Sequence, residues 1–150
     1  MFLSVHATVG AVLGRAIPDP TIAFLLGFLS HFFIDMIPHG DEEFGEDLLN
    51  GQNKKFIFAF VLDLIFLTVL MWWWTKREFF SLAAGIGAFG AIAPDALQGV
   101  HYLFPRIGMF RWYQHVHKQL HEFFGYKNIS LTTGIVVQAC TLTVLLVGFF

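Results

Sequence analysis

Long apolar runs alternate along the chain with short polar breaks. The clearest run spans 56–74, with Lys54 and Lys55 before it and Lys76 and Arg77 after it. Its length matches a bilayer core of roughly 30 Å, and the consecutive Trp72, Trp73 and Trp74 fit an interfacial belt. A second run, 129–150, is apolar and β-branched and carries no charge. Three weaker segments complete the set. Residues 21–37 are apolar until His31 and Asp35, 79–93 are rich in Gly and Ala, and 2–17 are broken by His6 and Arg15. The 2–17 segment lacks a basic start and leads into Pro18-Asp19-Pro20 rather than a small-residue cleavage site, so it is expected to be a retained, short or half-buried helix. Residues 110–124 set aromatics against Arg111, His115, Lys118 and Glu122 at helical spacing, which predicts an amphipathic helix at the membrane surface. The expected fold is all-α: one domain over 1–150, an integral membrane bundle of about five hydrophobic helices plus an interfacial amphipathic helix.

Five crossings alternate the loops between two sides. The N-terminus, the acidic stretch 40–53 and the long stretch 94–128 share one side, with Lys54, Lys55, Arg106, Arg111, Lys118 and Lys127. Arg15, Lys76 and Arg77 lie on the other. The positive-inside rule makes the first side cytoplasmic. The acidic run from Asp41 to Asp47 reads as a solvated loop. Gly10 and Gly14, and then Ala83, Gly87 and Ala91, recur at four-residue spacing, which gives helices a smooth stripe for close backbone approach.

Composition agrees with this picture. Hydrophobic residues make up 56% of the chain and charged residues 13%, about half the charged share of an ordinary soluble domain. The net charge of −2 offers no basic field for a nucleic acid, and the single Cys140 excludes an intrachain disulfide framework and a Cys-rich metal site.

Ionisable groups inside spans are costly and usually face a bundle interior or an aqueous cavity. His6, His31, Asp35 and Asp63 lie inside the predicted spans, Asp95 just past one, and Asp63 about 13 Å in from Lys54 at 1.5 Å per residue. With His39, His101, His115, His117 and His121, all of these fall toward one side. His31 and Asp35 are at i and i+4 and share a helix face, as do His117 and His121. Pro38 disfavours helix at Ile37 and leaves His39 just beyond the end. Imidazole and carboxylate donors suit Zn²⁺, Mn²⁺ or Fe²⁺. One or two ions, a pair being bridged by an aspartate, would also offset the burial of carboxylates. The expected ligands are His6, His31, Asp35, His39, Asp63, Asp95, His117 and His121, with His115 and His101 as weaker candidates. For each the alternative is structural: a hydrogen-bonded pair fixing helix packing, a turn residue after Pro94, or a solvated helix face.

The run Gly27-Phe28-Leu29-Ser30-His31-Phe32-Phe33-Ile34-Asp35-Met36-Ile37-Pro38-His39-Gly40 resembles a segment of the predicted membrane-bound metal-dependent hydrolases of bacteria and archaea. Pro94-Asp95 is similar to their Pro-Asp motif at a helix end, His6 to their early histidine, and His117 to His121 to their H-x-x-x-H element. In that family the H-x-x-x-H element usually comes first, and a serine commonly stands where this chain has Glu122. The His31-to-Asp35 spacing also resembles the all-helical zinc-dependent phospholipase C and nuclease group. The resemblance implies a prokaryotic membrane enzyme, and the charge bias turns its site toward the cytoplasm.

The resulting expectation is a metal-dependent hydrolase of a phosphoester, on a lipid or another membrane-associated molecule. Glu122 or an uncoordinated aspartate would take the proton, and Arg111 or Lys118 would hold the phosphate. Two other classes fit the same residues: a metal-ion binding or transport protein, and a haem-binding membrane protein with a His pair. A conduit needs polar groups through the whole membrane, whereas here they gather on one side.

Overall fold

A computed structural model of the chain describes residues 1–40, 54–104, 106–122 and 129–149, the side chains at 55, 101–103, 121 and 122 excepted. Among the described residues there are six helices and no strand: α1 (Leu3–Ala16), α2 (Pro20–Asp35), α3 (Lys54–Lys76), α4 (Leu82–Leu103), α5 (Gly108–Glu122) and α6 (Leu131–Phe149). The all-helical expectation is met.

The centre is a triad of α1, α2 and α4, and small residues make it possible. A Cβ placed on Gly10 would strike the carbonyl oxygen of Gly87, one on Gly14 that of Ala83, and one on Gly27 again that of Gly87. Gly87 therefore touches two helices at once, on the stripe that the four-residue spacing predicts. Local chemistry sets the starts of the helices. The Asp19 carboxylate accepts from Thr21 N at 2.8 Å and Ile22 N at 3.0 Å, with Pro20 in the first turn of α2. Ser81 Oγ caps α4 by accepting from Ala84 N at 3.1 Å.

Two helices are long and apolar enough to cross a membrane, Phe56–Lys76 and Leu131–Phe149. They meet the triad along narrow stripes: Asp63, Leu67, Leu70 and Trp74 on α3, and Gly134, Gln138 and Leu142 on α6. The rest of their surface is bare, with Phe58 66% exposed and Val147 81%.

Three expectations change. Five spanning helices are not what length and composition give here. At 1.5 Å per residue α1 is about 21 Å long and α2 about 24 Å, short of a hydrocarbon core of about 30 Å. The segment 2–17 is a short helix, as expected, but as α1 it lies inside the bundle rather than half-buried, with Ser4 to Thr8, Gly10, Ala11 and Gly14 buried. The helix expected over 79–93 continues through Pro94 to Leu103. Proline removes one N–H from the ladder and crowds the preceding turn, yet outside donors reach that region. Tyr113 Oη donates to the Pro94 carbonyl at 3.0 Å and His31 Nδ1 to the Ala91 carbonyl at 3.0 Å.

Candidate metal centre

Four elements converge at one end of the triad. α1 brings His6, α2 brings His31 and Asp35, α4 brings Asp95, and α5 brings His117. His31 and Asp35 lie on one face of α2 because they are four residues apart, and that face packs inward beside Gly27. Pro94 and Asp95 sit where α4 passes the end of α2. The amphipathic α5 turns His117 and Tyr113 inward while Met109, Arg111, Trp112 and Lys118 stay exposed.

One ligand atom from each of His31, Asp35, Asp95 and His117 falls within 4.8 Å of all the others, and this group can hold a metal ion. His31 Nε2 is 3.0 Å from Asp35 Oδ2, 3.1 Å from His117 Nε2 and 3.8 Å from Asp95 Oδ1. With Nδ1 donating to Ala91, a neutral His31 presents an unprotonated Nε2 to this group. That backbone anchor is the usual means of fixing a ligand histidine's tautomer. Ligands about 2.05 Å from a tetrahedral ion stand roughly 3.3 Å apart, close to the observed nitrogen separation. The ring of Phe32 meets those of both His31 and His117, and the Tyr113 ring lies tilted against His117. These rings wall the group from one side. His31, Asp35 and His117 are buried, while the Asp95 side chain keeps 23% of its surface exposed. Asp95 is thus the open edge of the group.

Other predicted ligands lie around this nucleus. His6 is fully buried, stacks on His31 with ring centroids 4.2 Å apart, and places Nε2 3.0 Å from Asp35 Oδ1 and 4.0 Å from Asp95 Oδ2. His39 lies just past the end of α2. Its Nδ1 donates to the Ile37 carbonyl at 2.7 Å, and its Nε2 is 4.0 Å from Asp35 Oδ1. The Met1 amino group donates to the same Asp35 oxygen at 3.0 Å. Asp63 has another place: its Oδ2 accepts from Ser4 N at 3.3 Å and ties α3 to the first turn of α1. Arg111, His115 and Lys118 are exposed on α5. The side chains of His101, His121 and Glu122, and the acidic run from Asp41 to Asp47, lie outside the described residues.

Two residues that the sequence does not single out support the site. Gln138, the one amide in α6, is buried. Its Nε2 donates to the His39 carbonyl at 3.0 Å, and its Oε1 accepts from Phe2 N at 2.7 Å. A lone amide in an otherwise apolar span was the available signal. Tyr113 is the other. Burial first, then the charges of Asp95 and Asp35, raise the pKa of its hydroxyl, so it remains a donor to Pro94. Gly134 and Gly40 let this region close up. A Cβ on Gly134 would strike the His39 carbonyl, and Gly40 has φ +71°, in the left-handed region.

No protein-family model, curated protein or solved structure matches this chain.

Proposed function

We propose that the chain is a membrane-embedded, metal-dependent hydrolase acting on a phosphoester of a lipid or membrane-associated substrate. The convergence of His31, Asp35, Asp95 and His117 from three helices carries this reading, because two imidazoles and two carboxylates at one open-edged point are a donor set for Zn²⁺, Mn²⁺ or Fe²⁺. In catalytic sites of this kind a bound divalent ion supplies Lewis acidity and lowers the pKa of water. The chain's own residues supply the remainder. Asp95, at the exposed edge, faces incoming water and substrate. Arg111 and Lys118, seven residues apart on α5, share one exposed face of the helix that carries His117, and can hold a phosphate there. The half-buried rings of Phe32 and Tyr113 shield one side of the group from bulk water.

The membrane setting follows from α3 and α6, whose bare apolar surfaces suit lipid. In this reading α1, α2 and α4 complete a bundle of five, and the site opens on the cytoplasmic side of a prokaryotic inner membrane, where six of the nine basic residues gather. A headgroup then reaches the ligands without leaving the bilayer.

The test pairs metal content with turnover on detergent-purified protein. Wild type should carry zinc, manganese or iron and release product from a chromogenic phosphodiester or a phospholipid in mixed micelles. The His31→Ala/Asp35→Ala variant, still folded by thermal unfolding, should lose metal and turnover together, by about 100-fold or more. A wild type that stays metal-free after reconstitution overturns the reading. Metal bound with no hydrolysis of any phosphoester points instead to metal binding or transport.

A further inference from the structure

The two oxygens of Asp35 face different partners. Oδ2 points toward His31 Nε2 at 3.0 Å and His117 Nε2 at 4.0 Å. Oδ1 points toward His6 Nε2 at 3.0 Å and His39 Nε2 at 4.0 Å, and accepts from the Met1 amino group at 3.0 Å, a cation that a metal ion on this side would replace. Asp95 repeats the division, with Oδ1 3.8 Å from His31 Nε2 and Oδ2 4.0 Å from His6 Nε2. Each carboxylate is therefore flanked by nitrogens on both of its oxygens, and the group of four described above uses only one side.

His6 shows that the other side is unfinished. The residue has no exposed surface, its Nδ1 has no hydrogen-bond partner, and its Nε2 faces only carboxylate oxygens, Asp35 Oδ1 at 3.0 Å and Asp95 Oδ2 at 4.0 Å. A buried ring nitrogen set against two carboxylate oxygens needs a proton or a cation between them. A divalent ion at Nε2 meets that need. His39 matches His31 in its preparation: Nδ1 donates to a backbone carbonyl, and Nε2 turns to the carboxylate. The rings of His6 and His31 stack with centroids 4.2 Å apart and an interplanar angle of 24°. Two ions, one on each Nε2, would then lie near the separation of about 3.5–4 Å found in two-metal sites.

We propose that the centre holds two divalent ions bridged by the carboxylates of Asp35 and Asp95. One is completed by His31 and His117 and the other by His6 and His39. Each ion has two imidazole nitrogens and one oxygen from each carboxylate, a balanced set for Mn²⁺, Fe²⁺ or Zn²⁺. A shared ion on each oxygen also offsets the burial of the Asp35 carboxylate between apolar helices. The proposal rests on the metal centre of the preceding subsection but makes a separate claim about stoichiometry.

The full chain in detergent is loaded with manganese(II), desalted, and measured for manganese per chain and by electron paramagnetic resonance. Wild type should bind about two ions and give the spectrum of a spin-coupled pair. His6→Gln and His39→Gln should each bind about one and give the six-line spectrum of an isolated ion. The wild-type spectrum decides even where a variant fails to fold. About one ion in wild type, unchanged in His6→Gln, overturns the second site and leaves the single-ion centre standing. Two ions without spin coupling also overturn it, because the second is then bound elsewhere. No manganese in wild type overturns the centre itself.

Discussion

The chain folds helices of two kinds, and they are built on opposite rules. In α1, eight of the fourteen residues are buried, among them Ser4, His6 and Thr8. In α3 and α6, the most apolar helices by sequence, only 11% of the membrane-length window is buried inside the protein. The helices that look most like core have their faces outside, and the helix that looks least like a span is the interior. In water this would be inverted. In a bilayer, lipid is as apolar as leucine, so apolar side chains gain little by turning inward. Close packing of small residues and satisfied polar contacts decide what goes inside. The triad has both, and for that reason His6, His31, Asp35 and Asp95 gather at it.

The sharpest way to break this contrast is to add one carbon to each kind of helix. Gly87→Ala puts a Cβ against the Gly10 carbonyl in the middle of the triad, where backbone must move to make room. We expect a loss of more than about 3 kcal/mol, at the upper end of overpacking costs, with metal lost as well. Gly148→Ala on α6 meets nothing within 4 Å. It should be neutral or stabilising by up to about 1 kcal/mol through helix propensity. Thermal unfolding of both variants in detergent measures the difference. Equal effects would show that the triad does not depend on backbone contact.

A second substitution asks what covers the bare faces. Ile65 sits near the middle of α3 and is 57% exposed. If lipid lies against it, Ile65→Lys should cost about 2.5–3.5 kcal/mol of insertion and lower the membrane-bound fraction on expression. On a water-facing surface the same change would be nearly free and would raise solubility. Fractionation of the two proteins separates these outcomes.

How much of this was legible from residues alone depended on whether the signal was local. The runs of α3 and α6 are visible because twenty apolar residues need no partner to be recognised. The i,i+4 spacing of His31 and Asp35 put them on one face, and the four-residue small stripe marked the contact that Gly87 makes. Pro94 misled, because a proline weighs on the local ladder whereas the donors that rescue it, from His31 and Tyr113, come from distant helices. Asp63 is ambiguous for the same reason: a buried aspartate can serve an ion or a helix end, and the Ser4 amide that reaches it comes from a distant helix. Gln138 escaped attention because an uncharged amide barely lowers the apolarity of its span. The spacing showed which residues share a side, but not that α1 and α5 would bring His6 and His117 to the same carboxylate.

Gln138 is also where the two kinds of helix meet. It lies on the one buried stripe of an otherwise bare helix, holding the His39 carbonyl and the Phe2 amide. Gln138→Leu keeps the volume and strands both groups, so the expected loss is about 2 kcal/mol. Metal affinity should fall roughly 10-fold or more, as for other groups that orient ligands. Melting with and without added metal measures both. Unchanged affinity would mean that His39 needs no help from α6.

The smallest effect is expected at Asp63, which distinguishes helix support from ligation. Its Oδ2 accepts from Ser4 N and lies away from the His–Asp group. Asp63→Asn keeps a carbonyl oxygen for that bond, so the first turn of α1 remains held. It also removes the need to bury a carboxylate beside apolar neighbours. The net change in stability should be less than about 1 kcal/mol, within the range of a single neutral hydrogen bond. Metal per chain should not change. A ligand would respond otherwise, because an amide oxygen is a far poorer partner for a divalent ion than a carboxylate, and one ion or much of its affinity would go. Asp63→Leu, which removes the acceptor altogether, should cost stability without changing stoichiometry in the protein that remains folded. If metal falls with Asp63→Asn while melting holds, then α3 supplies a ligand and the centre extends beyond the triad and α5.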